Sequence, residues 1–159
     1  MNFGEQFARA ALESLGYFII QGFKVGVREA DFLAVKRNGR NFKFFHIEAQ
    51  ISWSPSGVLR GQAWYGDSAK NWRKAARDFA QKKFFQKKVL RGIKECFGTG
   101  EYEKIFIYGK LKEFRQISVL EKKGIKCVPL EKLVGDAAMS GQMTKAFTEI
   151  HKITNFSRK

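Results

Sequence analysis

The chain reads as an α/β protein built on a central mixed β-sheet of four to five strands flanked by helices. Three observations carry that reading. An opening apolar stripe at helical spacing gives way to three runs rich in aromatic and β-branched residues. The dipeptide Asn38-Gly39 separates two of those runs, as in a tight hairpin turn. Beyond residue 69, long segments of helix formers alternate with short apolar runs, the order that builds parallel strands joined by crossover helices.

In chain order, Phe3, Phe7, Ala8, Ala11, Leu12 and Leu15 share one helical face, and Gly16 stops the helix. Tyr17 to Val27 predicts a strand bent at Gly22 and Gly26. Ala30–Val35 and Phe42–Ile51 predict the two arms of the hairpin. Ser52 to Gly66, with Pro55, Trp53 and Trp64, has little periodicity and reads as a loop. Ala69 to Phe97 is helical, with apolar spacing that slips at Lys82 and Lys83, so it forms either one bent helix or two short ones. Lys104–Tyr108 and Ile125–Val128 predict short buried strands on either side of a helix over Glu113–Lys122. Met143, Phe147 and Ile150 predict a last helix over Met143–Ile153. A chain of 159 residues suits one domain, here 1–138, with 139–159 as a helical extension that belongs to the same domain or forms a dimer contact.

Lys and Arg number 30 against 15 Asp and Glu, a formal net charge of +15, which draws polyanions. No apolar run approaches a membrane-spanning length, so nucleic acid is the expected partner and a membrane is not. Glu5, Arg9 and Glu13 interrupt the amino-terminal segment, which therefore lacks the apolar stretch of a secretory signal, and a cytoplasmic location is expected. Cys96 and Cys127, far apart and accompanied by only two His, suggest neither a disulfide framework nor a zinc site.

The hairpin carries the most specific chemistry. With Asn38 and Gly39 as the two loop residues, Arg37 pairs with Arg40, Val35 with Phe42, Leu33 with Phe44 and Asp31 with His46. Side chains alternate along a strand, so Glu48 shares the face of Asp31 and lies diagonal to it, with Gln50 and Glu29 on the same face. Both acids interrupt strongly apolar runs, Ala-Asp-Phe-Leu-Ala-Val and Phe-Phe-His-Ile-Glu-Ala-Gln-Ile. Clustered carboxylates repel one another unless a cation sits between them, and a hard divalent ion such as Mg²⁺ takes oxygen ligands of this kind together with a substrate phosphate. The alternative is that the two acids pair with some of the chain's many Lys and Arg residues. His46 either assists proton transfer or is a buried, hydrogen-bonded histidine.

An acidic residue in the first helix (Glu5), Asp31 entering an apolar strand and Glu48-Ala49-Gln50 closing the next one together resemble the PD-(D/E)xK nuclease superfamily. That superfamily includes restriction endonucleases and archaeal Holliday-junction resolvases. The resemblance spans Phe3 to Leu133 and implies a restriction-endonuclease-like core. It also implies metal ligation by Asp31, Glu48 and the backbone carbonyl of Ala49, with Glu5 acting through water. Gln50 stands where the superfamily usually has lysine, and an amide can orient water but cannot offset phosphate charge. Other members draw a lysine from a neighbouring helix, and Lys70 and Lys74 are the candidates here.

Between Lys70 and Lys94 ten basic residues face the single acid Asp78. Lys70, Arg73, Lys74 and Arg77 follow helical spacing and form a stripe suited to phosphates, with Arg60 in the preceding loop as a further contact. The expectation is a nuclease that cleaves DNA phosphodiesters with Mg²⁺ or Mn²⁺, with Asp31, Glu48, Gln50 and Glu5 in the catalytic centre and a homodimer as its assembly. The alternative is a nucleic-acid-binding protein that keeps the fold without catalysis.

Overall fold

In the computed structural model, which describes residues 3–51, 71–111 and 113–140, the elements follow an α/β order. They are α1 (Phe3–Ser14), β1 (Tyr17–Val25), β2 (Arg28–Asn38), β3 (Asn41–Gln50), α2 (Trp72–Phe84), α3 (Lys87–Phe97), β4 (Glu103–Tyr108), α4 (Arg115–Glu121), β5 (Ile125–Pro129) and α5 (Leu130–Met139). The strands form one mixed sheet in the order β1-β2-β3-β4-β5. The pairs β1·β2 and β2·β3 are antiparallel, and β3·β4 and β4·β5 are parallel. Each parallel step needs a crossover, supplied by α2 with α3 for the first and by α4 for the second.

The helices sandwich the sheet. On one face Phe7, Ala8, Ala11 and Leu12 of α1, with Leu133, Val134 and Ala137 of α5, pack on Phe32, Ala34, Phe45, Ile47, Ile105 and Ile107. On the other, Phe79, Ala80 and Phe84 of α2 and Leu120 of α4 cover Phe106 and Tyr108. On that same face α3 lays Val89 and Ile93 against Ala30 and Leu33 of β2. A sheet buried on both faces explains why β4 reads as an uninterrupted apolar run.

The hairpin turn lies one residue further along than expected. Asn38 pairs with Asn41, Arg37 with Phe42, Val35 with Phe44 and Leu33 with His46, so the two loop residues are Gly39 and Arg40. Gly39 has φ of 63° and no residue other than glycine has positive φ among those described. A two-residue turn with glycine first needs left-handed backbone only at that glycine, whereas an Asn-Gly turn would force Asn38 there as well. Moving the turn by one residue moves each partner by two, so every side chain keeps its predicted face. The diagonal relation changes, because continuing the ladder one step past Phe32–Ile47 sets Asp31 directly across from Glu48.

The segment Ala69–Phe97 is two helices, broken at Phe85 and Gln86. The helix α5 was not expected, although Leu130, Leu133, Val134 and Ala137 supply the i, i+3, i+4, i+7 pattern. Pro129 and Gly135, which bracket and interrupt it, mask that signal, but proline is well tolerated where a helix begins. The loop expected over Ser52–Gly66 and the helix expected over Met143–Ile153 lie outside the described residues. Among the described residues no helix is long and apolar enough to cross a membrane.

Candidate active site

Asp31 on β2 and Glu48 on β3 meet on the face of the sheet covered by α2. At the ends of these strands the backbone ladder runs out, and the Asp31 carboxylate takes over: its Oδ2 accepts the Ala49 N–H at 2.8 Å. Along a strand, the N–H and carbonyl of one residue point to the same edge while the next residue points to the other. The Gln50 carbonyl accepts from Gly109 on the β4 side. The Ala49 carbonyl therefore points with its N–H toward β2 and Asp31, so it borders the two carboxylates.

A lysine stands against both acids. Lys83 Nζ lies 2.6 Å from Glu48 Oε2 and 3.7 Å from Asp31 Oδ1. It comes from neither of the expected positions: Lys74 is exposed on α2 and Lys70 lies outside the described residues. Ala76, Phe79 and Ala80 are the buried side of α2, and Lys83 completes their i, i+3, i+4, i+7 stripe. A lysine on the buried stripe of a helix was the available signal, and it coincides with the slip in apolar spacing at Lys82 and Lys83. Its side chain is 32% exposed, so the aliphatic stem crosses the apolar surface and the ammonium reaches the carboxylates at the rim.

His46 holds the other Glu48 oxygen, with Nε2 2.9 Å from Oε1. The ring is fully buried, 4.9 Å from the Phe84 ring centre. Burial, then the charge of Lys104, push its pKa down to about 3. His46 is therefore neutral at pH 7. With a carboxylate facing Nε2, the single ring hydrogen belongs there, and Nδ1 is a buried acceptor with no hydrogen-bond partner among the described residues.

Two carboxylates against one ammonium leave this corner one negative charge in excess when all three groups are ionised. Burial, then the neighbouring Glu48 charge, raise the Asp31 pKa to about 6, against the opposing effects of Lys83 and the Ala49 N–H. Burial raises that of Glu48 too, although Lys83 opposes the rise. Lys83 itself is held above the ordinary lysine range, because the two carboxylates outweigh its own desolvation. The donor set is all oxygen, two carboxylates and the Ala49 carbonyl, with Asp31 at the solvent edge. Such a set fits Mg²⁺ or Mn²⁺, which bind through one or two carboxylates and complete their shell with water and phosphate.

The remaining predicted residues spread around this corner. Gln50 follows Glu48 on the same face, half-buried. Glu29 is exposed, and its carboxylate sits over Gly22. Among the described residues no group of three or more His, Cys, Asp and Glu comes together as a metal-ligand set, so the expected acidic cluster reduces to the pair. Glu5 is half-buried in the first turn of α1, the helix packed on the opposite face of the sheet. Arg73, Lys74 and Arg77 are exposed on α2, and Arg60 lies outside the described residues.

No family model and no curated protein matches the chain. A solved structure is similar to it. That structure is the crystal structure of a protein of unknown function, AF1548, with a TM-score of 0.49 and 14% sequence identity, covering 86% of this chain and 67% of that one.

Proposed function

We propose that the chain is a metal-dependent nuclease of restriction-endonuclease-like fold that hydrolyses phosphodiester bonds in DNA. The observation that carries this reading is Lys83, whose ammonium lies 2.6 Å from Glu48 and beside Asp31. It supplies from α2 the positive charge that Gln50 cannot provide. Asp31, Glu48 and the Ala49 carbonyl would hold the cation. When bound, Mg²⁺ or Mn²⁺ polarises the phosphodiester and lowers the pKa of an attacking water. His46 fixes the Glu48 carboxylate through Oε1 and leaves Oε2 facing the site. Lys83, flexible and partly exposed, offsets charge on the phosphate as it builds. Arg73, Lys74 and Arg77, one turn and more along the same helix, track the phosphate backbone without reading bases. A homodimer would present two such centres to a duplex.

A second reading rests on the same ion pair. Lys83 already compensates the acids without any metal, so the trio can serve as a structural element in a non-catalytic nucleic-acid-binding protein. Incubating the purified chain with linear, nicked, branched and single-stranded DNA in Mg²⁺, Mn²⁺ or EDTA separates the two. The nuclease reading expects metal-dependent cleavage that Asp31→Ala abolishes while DNA binding persists. Cleavage by Asp31→Ala at the wild-type rate overturns it.

A further inference from the structure

A groove of about 600 Å³ lies beside the carboxylate corner, between the β1–β2 turn and the junction of α2 with α3. Its polar lining is Arg28 from β2, Gln81 from α2, and Gln86, Lys87 and Lys88 where α3 begins. Among the described residues three cations and two amides line it and no carboxylate does. Lys87 and Lys88 open a helix whose first turn holds no acid, so these positive charges are crowded together and set against the positive end of the helix. An anion in the groove relieves both costs. Gln86 lines the groove as well, and its side-chain NH₂ group is a donor suited to an anion.

The location of the groove says which anion. Arg28 precedes Asp31 by three residues on β2, and Gln86 follows Lys83 by three residues in the chain. Three strand residues span about 10 Å, a length that a nucleic-acid backbone crosses within a nucleotide or two. A nucleic-acid strand whose scissile phosphate reaches Lys83 and Asp31 therefore brings a neighbouring phosphate over the groove. The walls are held in place by close packing, because Gly92 of α3 lies so near Val25 of β1 that a Cβ added there would fall 2.6 Å from Val25 Cγ2.

We infer that this groove is a phosphate-binding subsite for the nucleic-acid strand that flanks the scissile bond, with Arg28, Lys87 and Lys88 as its cations and Gln86 as a polar contact. The inference rests on the nuclease reading and adds the path of the substrate.

Binding can be tested apart from cleavage by titrating a labelled 20-base-pair duplex in EDTA at several salt concentrations. Each phosphate contact contributes about 0.9 to the slope of log affinity against log salt. Replacing Lys87 and Lys88 together by Gln is expected to make that slope shallower by about 1.8, so the wild type loses about tenfold more affinity than the variant between 50 and 200 mM salt. The charge-matched control, Lys122→Gln with Lys126→Gln on the far side of the sheet edge, is expected to retain the wild-type slope. A wild-type slope in the Lys87/Lys88 variant overturns the subsite, and so does an equal loss of slope in the control. Absence of wild-type binding to the duplex overturns the nucleic-acid reading itself, a result distinct from either.

Discussion

Lys83 Nζ lies 2.6 Å from Glu48 Oε2, joining an otherwise apolar helix face to a carboxylate that is 1% exposed. Glu48 has His46 on its other oxygen, so both of its oxygens are engaged without a second full positive charge. Removing the ammonium leaves a buried carboxylate to protonate or to seek another cation. Lys83→Met is expected to lower stability by about 3 kcal/mol at pH 8. The loss should shrink on acidification, as the carboxylates become neutral. Denaturant titrations across pH check this. Under the proposed function, cleavage also falls by about 10²–10³, and added Mg²⁺ raises the melting temperature of the variant more than that of the wild type.

Asp31 gives a prediction of opposite sign. Its pKa rises from an ordinary 3.8 to about 6 on folding, so its favourable contribution is complete below about pH 4 and lost as pH rises through 6. Asp31→Asn keeps an oxygen for the Ala49 N–H and removes the charge. In the absence of divalent metal the variant should be more stable than the wild type by about 2–3 kcal/mol at pH 8, with the gap closing toward pH 4. Thermal melts in EDTA at pH 4, 6 and 8 read it directly. A variant less stable at pH 8 than the wild type contradicts the burial argument.

His46 governs the acid limb. Its pKa is pushed down to about 3 from an ordinary 6.5, so its contribution is present above pH 6.5 and lost as pH falls through 3. His46→Gln retains an N–H donor for Glu48 but cannot charge. Its stability should therefore depend less on pH than that of the wild type between pH 6.5 and 3, which urea midpoints at each pH will show.

Gly92→Ala tests the packing of α3 on β1. The added methyl meets Val25 Cγ2 at 2.6 Å, and valine is too stiff at χ1 to yield easily. Overpacking costs about 1–3 kcal/mol, against roughly 1 kcal/mol gained in helix propensity. A net loss of about 1 kcal/mol in chemical denaturation is expected, with Val25→Ala restoring room in the double variant.

Legible in the sequence were the order of elements from α1 to β5, with Ala69–Phe97 left open as one helix or two, and the shared face of Asp31 and Glu48. These follow from local periodicity: 3.6 residues per turn in α1, and the alternation of side chains in β2 and β3, which survives a one-residue error in the turn. The position of that turn was less secure, because Asn38-Gly39 and Gly39-Arg40 both satisfy a two-residue hairpin and differ only in whether Asn38 takes left-handed backbone. That the lysine is Lys83, 35 positions beyond Glu48 in the chain, becomes visible only in the folded molecule. In the sequence Lys83 registers only as a slip in the apolar spacing, and which part of the sheet the buried stripe of α2 covers depends on the β3–β4 crossover and on how helix packs on strand. A contact between distant segments is settled by packing rather than by spacing, and this corner is assembled from three of them.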